Sequence, residues 1–447
     1  MRDADLMRVD QRPLAERALV WLVFAAVLIF AAARFAEKWS APPRIEAPIR
    51  QSSAGARDYD AAIAHIDRLI AGLRPLADQQ PDDWLMRERI AHQLIARARL
   101  SGDFRDYVQA QQQLSAGLAS ATPGSGPHLS QAALALSTHR LALTERMLEA
   151  IDRYAVPPEA EVREGLTGLR GDIAFYRGRY RAAVAAYAAL PQPDQRMAIF
   201  LAKTGQPEQA LGLLNRIERS GLLTGQMLAQ IALLRGTIEL QRGSWDAAEA
   251  AFGEADRRFP RWWLVAAHRA QMQALRGRTR QAIRAFEAVA RRNDDPALRD
   301  AIASLYRAAG DYAGTELWAG RAAQGWAERL KLLPEAALGH AVEHELAFGT
   351  PARALELARR DFALRPHGAT AIALGWALIA NNRPAEALKI IDAVNGSSWQ
   401  SAEQHLVAAR AHALLGDSGA AEAEQDEALA LNPHALDATA TLLWYGH

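Results

Sequence analysis

The chain contains no cysteine. Disulfides, thiolate metal sites, haem-attachment motifs, cysteine nucleophiles and a lipidated N-terminal cysteine are therefore excluded. Neither sign of charge is in excess: 52 basic residues face 51 acidic ones, a formal net charge of +1. A protein built to hold a nucleic-acid backbone carries a basic surplus or stripe, so nucleic acid is not an expected partner. Lysine is nearly missing, at positions 38, 203, 331 and 389 only, which with abundant alanine reads as the codon bias of a GC-rich bacterial genome. Sustained alternation of apolar and polar residues, the mark of strands, is also absent. What remains is 447 residues, half of them hydrophobic. That is ample for a large core, and by length about two to four domains or one long array of repeats.

One stretch stands apart. Residues 19–30 are apolar without interruption, and only Arg34 breaks the run from Ala18 to Ala36. As a helix, residues 18–36 would span about 28 Å, close to the ~30 Å hydrocarbon core of a bilayer. Arg34 sits near one end, where it can snorkel, and Trp21 and Trp39 sit near the two edges as interfacial anchors do. A cleaved signal peptide is the competing reading, with Ala31, Ala32 and Ala33 as the cleavage site. No Gly or Pro breaks the helix before those alanines, and Arg34 to Trp39 continue as an amphipathic turn, which favours an uncleaved anchor. Four arginines precede the run and five basic residues, Arg34 among them, stand at its other flank, so charge alone leaves orientation undecided. A short tail inside with the large domain outside the cytoplasm is the arrangement expected of such an anchor, placing the domain in the periplasm on the inner membrane.

After a tail at 1–17 and the span at 18–36, residues 37–57 are rich in Pro and Ser and lack periodicity, as a semi-extended spacer would. From Asp58 onward apolar residues recur at three- and four-residue steps, for example Ile63, Ile66, Leu69, Ile70 and Leu73. Breaks are short, at residues 122–127, 156–158 and 293–296. The spacing predicts an all-α protein of many short helices.

A repeat is the most informative feature. Measured from Gly243, a small residue lies seven before (Gly236) and an aromatic two after (Trp245). Ala248, Phe252, Ala255 and Pro260 follow at five, nine, twelve and seventeen. The pattern returns 34 residues on at Gly277, with Ala270, Ala282 and Phe286 in the corresponding places. Partial copies centre on Gly178, Gly205, Gly310, Gly349, Asn382 and Gly416, with later spacings of 33, 39, 33 and 34. Glycine can end a first helix, the small residues let two helix axes approach, the aromatics fill the wedge between neighbours, and proline stops the second helix.

This pattern resembles the tetratricopeptide repeat, whose period is 34 residues. The resemblance covers residues 161–447, some eight units, and implies a right-handed α-α superhelix of antiparallel helix pairs. Residues 58–160 read as degenerate helical repeats or a cap. In that family the first helix of each unit lines the concave surface, at positions about 13, 10, 6 and 3 before the turn. That implies a partner groove of Gln271, Asp300, Ser304, Arg307, Glu343, Ile372, Trp376, Leu406 and Arg410. The alternative for these nine is a solvated face plus packing between repeats.

No motif for chemistry survives inspection. His340 and His344 share the four-residue spacing of a metal pair, but the Glu directly after the first His of the zinc-protease motif is missing, and an exposed helix face is the better reading. Gly124, Ser125 and Gly126 lack the Lys-Ser/Thr of a phosphate loop, and no Gly-x-Ser-x-Gly elbow is present. Asp82 and Asp83, and Asp294 and Asp295, precede helices, as helix-start residues do. No catalytic residue, cofactor or metal is expected. The sequence points to a membrane-anchored scaffold or adaptor that binds proteins or peptides in a bacterial envelope complex. The alternative is an assembly or regulatory subunit of a membrane enzyme or export system.

Overall fold

The structure, a computed structural model, describes residues 55–192 and 194–439. The tail, the apolar run at 18–36 and most of the 37–57 spacer lie outside those residues. Among the described residues no helix is long and apolar enough to cross a membrane. They contain 21 α-helices and no β-strand.

A lone helix, α1 (Tyr59–Gln79), leads into ten antiparallel hairpins. The first are α2 (Trp84–Ser101) with α3 (Phe104–Ser120) and α4 (His128–Ser137) with α5 (Leu141–Asp152). The next are α6 (Ala160–Tyr176) with α7 (Tyr180–Ala188), α8 (Gln195–Lys203) with α9 (Pro207–Ser220), and α10 (Gly225–Gln241) with α11 (Trp245–Arg258). Then come α12 (Trp263–Leu275) with α13 (Thr279–Ala290) and α14 (Pro296–Ala308) with α15 (Tyr312–Leu332). The last are α16 (Pro334–Ala347) with α17 (Pro351–Leu364), α18 (Gly368–Ala380) with α19 (Pro384–Asn395), and α20 (Ala402–Leu414) with α21 (Ser418–Leu431). After the lone α1, the helices up to residue 152 pair as hairpins like those that follow, and the described residues belong to one compact unit.

Local chemistry sets the helix starts. Side chains of Asp83, Asp103, Thr224, Asp295, Asp311, Thr350 and Asp417 accept hydrogen bonds from backbone amides of the first turn. Ser401 and Gln404 form a reciprocal capping box at α20. Proline opens α9, α14, α16, α17 and α19, where its missing N–H costs nothing. Within each hairpin the small residues do what the spacing predicts. A Cβ on Gly236 would lie 2.4 Å from the fully buried Phe252 ring, so α10 and α11 can touch only through a glycine. Phe252 in turn stacks on His268 of the next hairpin at 4.7 Å.

The array also winds back onto itself, which the repeat alone does not announce. Partners recur 188 and 192 residues apart: Tyr180 with the Gly368 amide, and Ser101 with the Asn293 side chain. The Trp262 and Trp263 indoles donate to the Leu100 carbonyl at 3.3 and 2.8 Å. The Gln400 amide donates to the Lys203 carbonyl at 2.9 Å, and Trp245 stacks on His434 at 3.7 Å. Trp245 therefore fills a gap between successive superhelical turns, not merely between neighbouring helices. The turns of the early hairpins press against loops that connect the late ones, and this seam buries His367 and Trp399, with His139, Tyr176 and Lys203 half-buried beside them.

The 39-residue spacing has a structural cause. Helix α15 has 21 residues where α11, α13, α17, α19 and α21 have 12 or 14. Its C-terminal end reaches the earlier turn. Arg329 donates to the Gly102 carbonyl at 3.1 Å, pairs with Asp295 at 3.0 Å and lies 4.3 Å above the Phe104 ring.

Candidate functional site

The first helices of successive hairpins face one another: α14 touches α16, α16 touches α18 and α18 touches α20. That contact decides the fate of the nine groove positions. Gln271 on α12 is 4% exposed and its amide oxygen meets Nδ1 of His268 at 3.0 Å. Ser304 on α14 is 6% exposed and Ile372 on α18 is 3% exposed. These three are buried and present nothing to a partner. They correct the sequence expectation.

Asp300 on α14 is committed elsewhere as well. Its carboxylate accepts the Trp326 indole N–H at 2.7 Å and pairs with Nδ1 of His344 at 2.7 Å. Burial pushes its pKa above the usual carboxylate range, against the downward pull of His344 and Trp326. His344 is buried, so the reading of the His340 and His344 pair as one exposed face holds for His340 alone. The two rings point to different neighbours. His340 meets Glu343 at 3.1 Å and stacks on Trp326 at 5.8 Å, while His344 turns inward to Asp300. An imidazole on a carboxylate is half of a general-base arrangement. Here both are enclosed and, among the described residues, no hydroxyl is hydrogen-bonded to the ring; the pair ties α14 to α16. Among the described residues no group of three or more His, Asp or Glu side chains could hold a metal ion.

Five positions keep accessible surface. Arg307 on α14 is exposed, donates to the Ala347 carbonyl at 2.8 Å and lies 4.7 Å above the Phe348 ring. Glu343 and Leu406 are half-buried, and Arg410 on α20 is exposed with no carboxylate paired to it among the described residues. Trp376 on α18 is half-buried, packs against the core with part of its ring and carries an indole nitrogen without a hydrogen-bond partner. Trp376, Leu406 and Arg410 lie on neighbouring first helices and keep accessible surface.

Sequence reasoning missed the buried seam. Asp361 and Arg365 form a two-pronged ion pair at 2.8 and 2.8 Å, both side chains under 10% exposed. His367 has both ring nitrogens buried without a partner, as do one nitrogen of His139 and the indole nitrogen of Trp399. Burial, then the nearby Arg365 and Lys203 charges, hold the His367 pKa down to about 3. A hint in the chain was the clustering of Trp and His in or at the end of the short connections after second helices, at residues 262, 263, 367, 399 and 434.

No family model matches the chain, and no curated protein matches it. Solved structures similar to it include a tetratricopeptide repeat protein from Parabacteroides merdae, 14% identical over 55% of this chain and 95% of that one, with a TM-score of 0.35. Another is the Cut9–Hcn1 hetero-tetramer of the APC/C, 15% identical over 86% of this chain and 82% of that one, TM-score 0.37. A third is the TPR domain of P58(IPK), 13% identical over 86% of this chain and 93% of that one, TM-score 0.26.

Proposed function

We propose that this chain is a scaffold that captures protein partners on a right-handed superhelix of helix hairpins and performs no turnover. The observation that carries the reading is the unbroken array of ten hairpins, from which Trp376, Leu406 and Arg410 remain accessible on adjacent first helices. Tryptophan and arginine are the residue types that most often dominate binding energy. Solenoids expose long surfaces of this kind.

The apolar run at 18–36 supports a further step: the scaffold is tethered to the inner membrane, with the superhelix in the periplasm, as part of an envelope complex. A tether raises the effective concentration of any partner in the same membrane. Service as an assembly or regulatory subunit of a membrane enzyme or export system rests on the same tether and differs only in what is bound. Photo-crosslinking from position 376 of the full chain in membranes tests the scaffold. A protein crosslinked from 376 and lost in Arg410→Glu supports it; no crosslinked product from 376, 406 or 410 refutes it. Protease added after permeabilising the outer membrane tests the address, since a periplasmic superhelix is digested while a cytoplasmic control survives.

A further inference from the structure

The C-terminal end of α13, the start of α14 and the middle of α15 line a cleft of about 370 Å³. That lies within the ~300–1,000 Å³ typical of ligand sites. Its lining is Ala290, Arg291, Arg299, Trp318, Arg321 and Gln324. Three of six are arginines and none is acidic. Arg299 donates to the main-chain carbonyl of Arg321 at 3.2 Å, and the Arg321 guanidinium lies 4.9 Å above the Trp318 ring. No carboxylate stands within 4.0 Å of any of the three guanidinium groups among the described residues.

Of the acids on adjoining segments, Glu287 accepts the Tyr306 hydroxyl at 2.8 Å, Glu328 is exposed one turn beyond Gln324, and the aspartates are engaged with other arginines. Asp60 holds Arg292 and Arg261, Asp295 holds Arg329, and Asp294 faces Arg105. The basic face also extends beyond the cleft. Arg280 and Arg284 of α13, four residues apart on one side of that helix, are exposed and have no carboxylate partner. Apolar surface lies alongside. Of the 21 residues of α15 only Ala322 and Trp326 are buried, and Leu317, 52% exposed, shares a helix face with Arg321 and Gln324. Uncompensated guanidinium groups beside an indole and an exposed leucine match one chemistry: carboxylates spaced with an apolar side chain. Arginine takes carboxylates in two-pronged, charge-assisted hydrogen bonds.

We propose that this cleft docks an acidic peptide segment of a partner protein, with carboxylates on Arg291, Arg299 and Arg321 and an apolar side chain on Trp318 and Leu317. The assignment rests on the scaffold reading and adds to it a second contact face, separate from Trp376 and Arg410. Because the arginines sit at an open surface, the contact weakens as salt screens it.

The test uses the full chain in non-ionic detergent. A fluorescein-labelled peptide of alternating Glu and Leu, and its Lys–Leu counterpart, are titrated by fluorescence anisotropy at about 50 and about 300 mM salt. The Glu–Leu peptide should bind, the Lys–Leu peptide should not, and salt should weaken binding. Arg291→Glu with Arg321→Glu should lower affinity at least about tenfold. The milder Arg321→Gln should lower it less, Trp318→Ala should lower it without changing the salt dependence, and Arg410→Glu should leave it unchanged. Both arginines are exposed, so melting of the charge variants should match the parent. Equal binding by the double charge variant overturns the proposal. So does displacement of the peptide by inorganic phosphate of equal total charge, which would mark a bare anion site. Crosslinking from position 376 separates the two readings: a partner still captured there while the double charge variant binds peptide normally leaves the scaffold standing and removes the cleft.

Discussion

Gly178 and Gly277 take the same left-handed backbone conformation, φ 69° and 73°, at equivalent turns of two hairpins. They differ in what covers them. A Cβ on Gly178 would lie 2.5 Å from the main-chain carbonyl oxygen of Pro366, across the seam, whereas a Cβ on Gly277 would meet nothing within 4 Å. Alanine at 277 therefore bears only the cost of placing a Cβ at positive φ, about 1–2 kcal/mol. Asn382, at φ 56° in a later turn, shows that an uncovered turn accepts a side chain. Alanine at 178 bears the same conformational cost and a clash with rigid backbone besides. The Pro366 carbonyl cannot step aside, because the Gly368 amide two residues on is held by the Tyr180 hydroxyl at 2.9 Å. Overpacking of this kind adds about 1–3 kcal/mol. The expected losses are thus about 1–2 kcal/mol for Gly277→Ala and about 2–5 kcal/mol for Gly178→Ala. Urea unfolding followed by circular dichroism measures both. Amide hydrogen exchange at Gly368 and Gln400, which donate across the seam, locates the damage. Protection there should fall in Gly178→Ala and hold in Gly277→Ala. Equal destabilisation by the two substitutions, with seam amides equally protected, would mean that the superhelical turns do not stack.

Acid should loosen the protein through its buried imidazoles. Burial holds His268 near about 4 and His367 near about 3, below the ordinary 6.5, so the unfolded chain binds more protons between those values. Stability is full above pH 6.5 and falls with decreasing pH, by up to about 1.4 kcal/mol per pH unit for each group, levelling off below the folded values. A urea midpoint unchanged between pH 7 and pH 5 would contradict this, and His367→Phe should flatten the slope. Arg365→Met leaves the Asp361 carboxylate buried and alone and should cost about 3–5 kcal/mol, most of it regained in the double variant with Asp361→Leu, as a urea double-mutant cycle would show. Ala248→Leu, at a fully buried contact of α11, should cost about 1–3 kcal/mol with partner binding reduced only in proportion to folding. Trp376→Ala should weaken partner capture by more than its melting shift explains; a lower melting temperature with binding lost only in step would make Trp376 a core residue.

The hairpins were readable because their causes are local. Gly236 is small since Phe252, nine residues beyond the turn glycine, lies against it, and both sit within one hairpin. The same holds for the capping Asp83 and Asp295 and for the eight units after residue 160, which appear as α6 to α21. The groove was less legible. Spacing from the turn assigns a side of a helix but not what stands opposite it, so Gln271, Ser304 and Ile372 proved buried while Trp376 and Arg410 kept surface. His344 could not be separated from His340 by spacing, because its partner Asp300 is on another hairpin 44 residues away.

By itself the sequence determined the period, the helix ends, the close contact inside each hairpin and the apolar run at 18–36, all set by residues within about one repeat of one another. Only the tertiary structure decided that the array closes on itself after some 190 residues, with His367, Trp399 and Lys203 in the seam. It also decided that the long α15 crosses to Phe104 and opens an arginine-lined cleft. The rotation from one hairpin to the next is small and comes from many side chains at once, so no single position encodes it. Accumulated over five or six hairpins, it selects which distant loops meet.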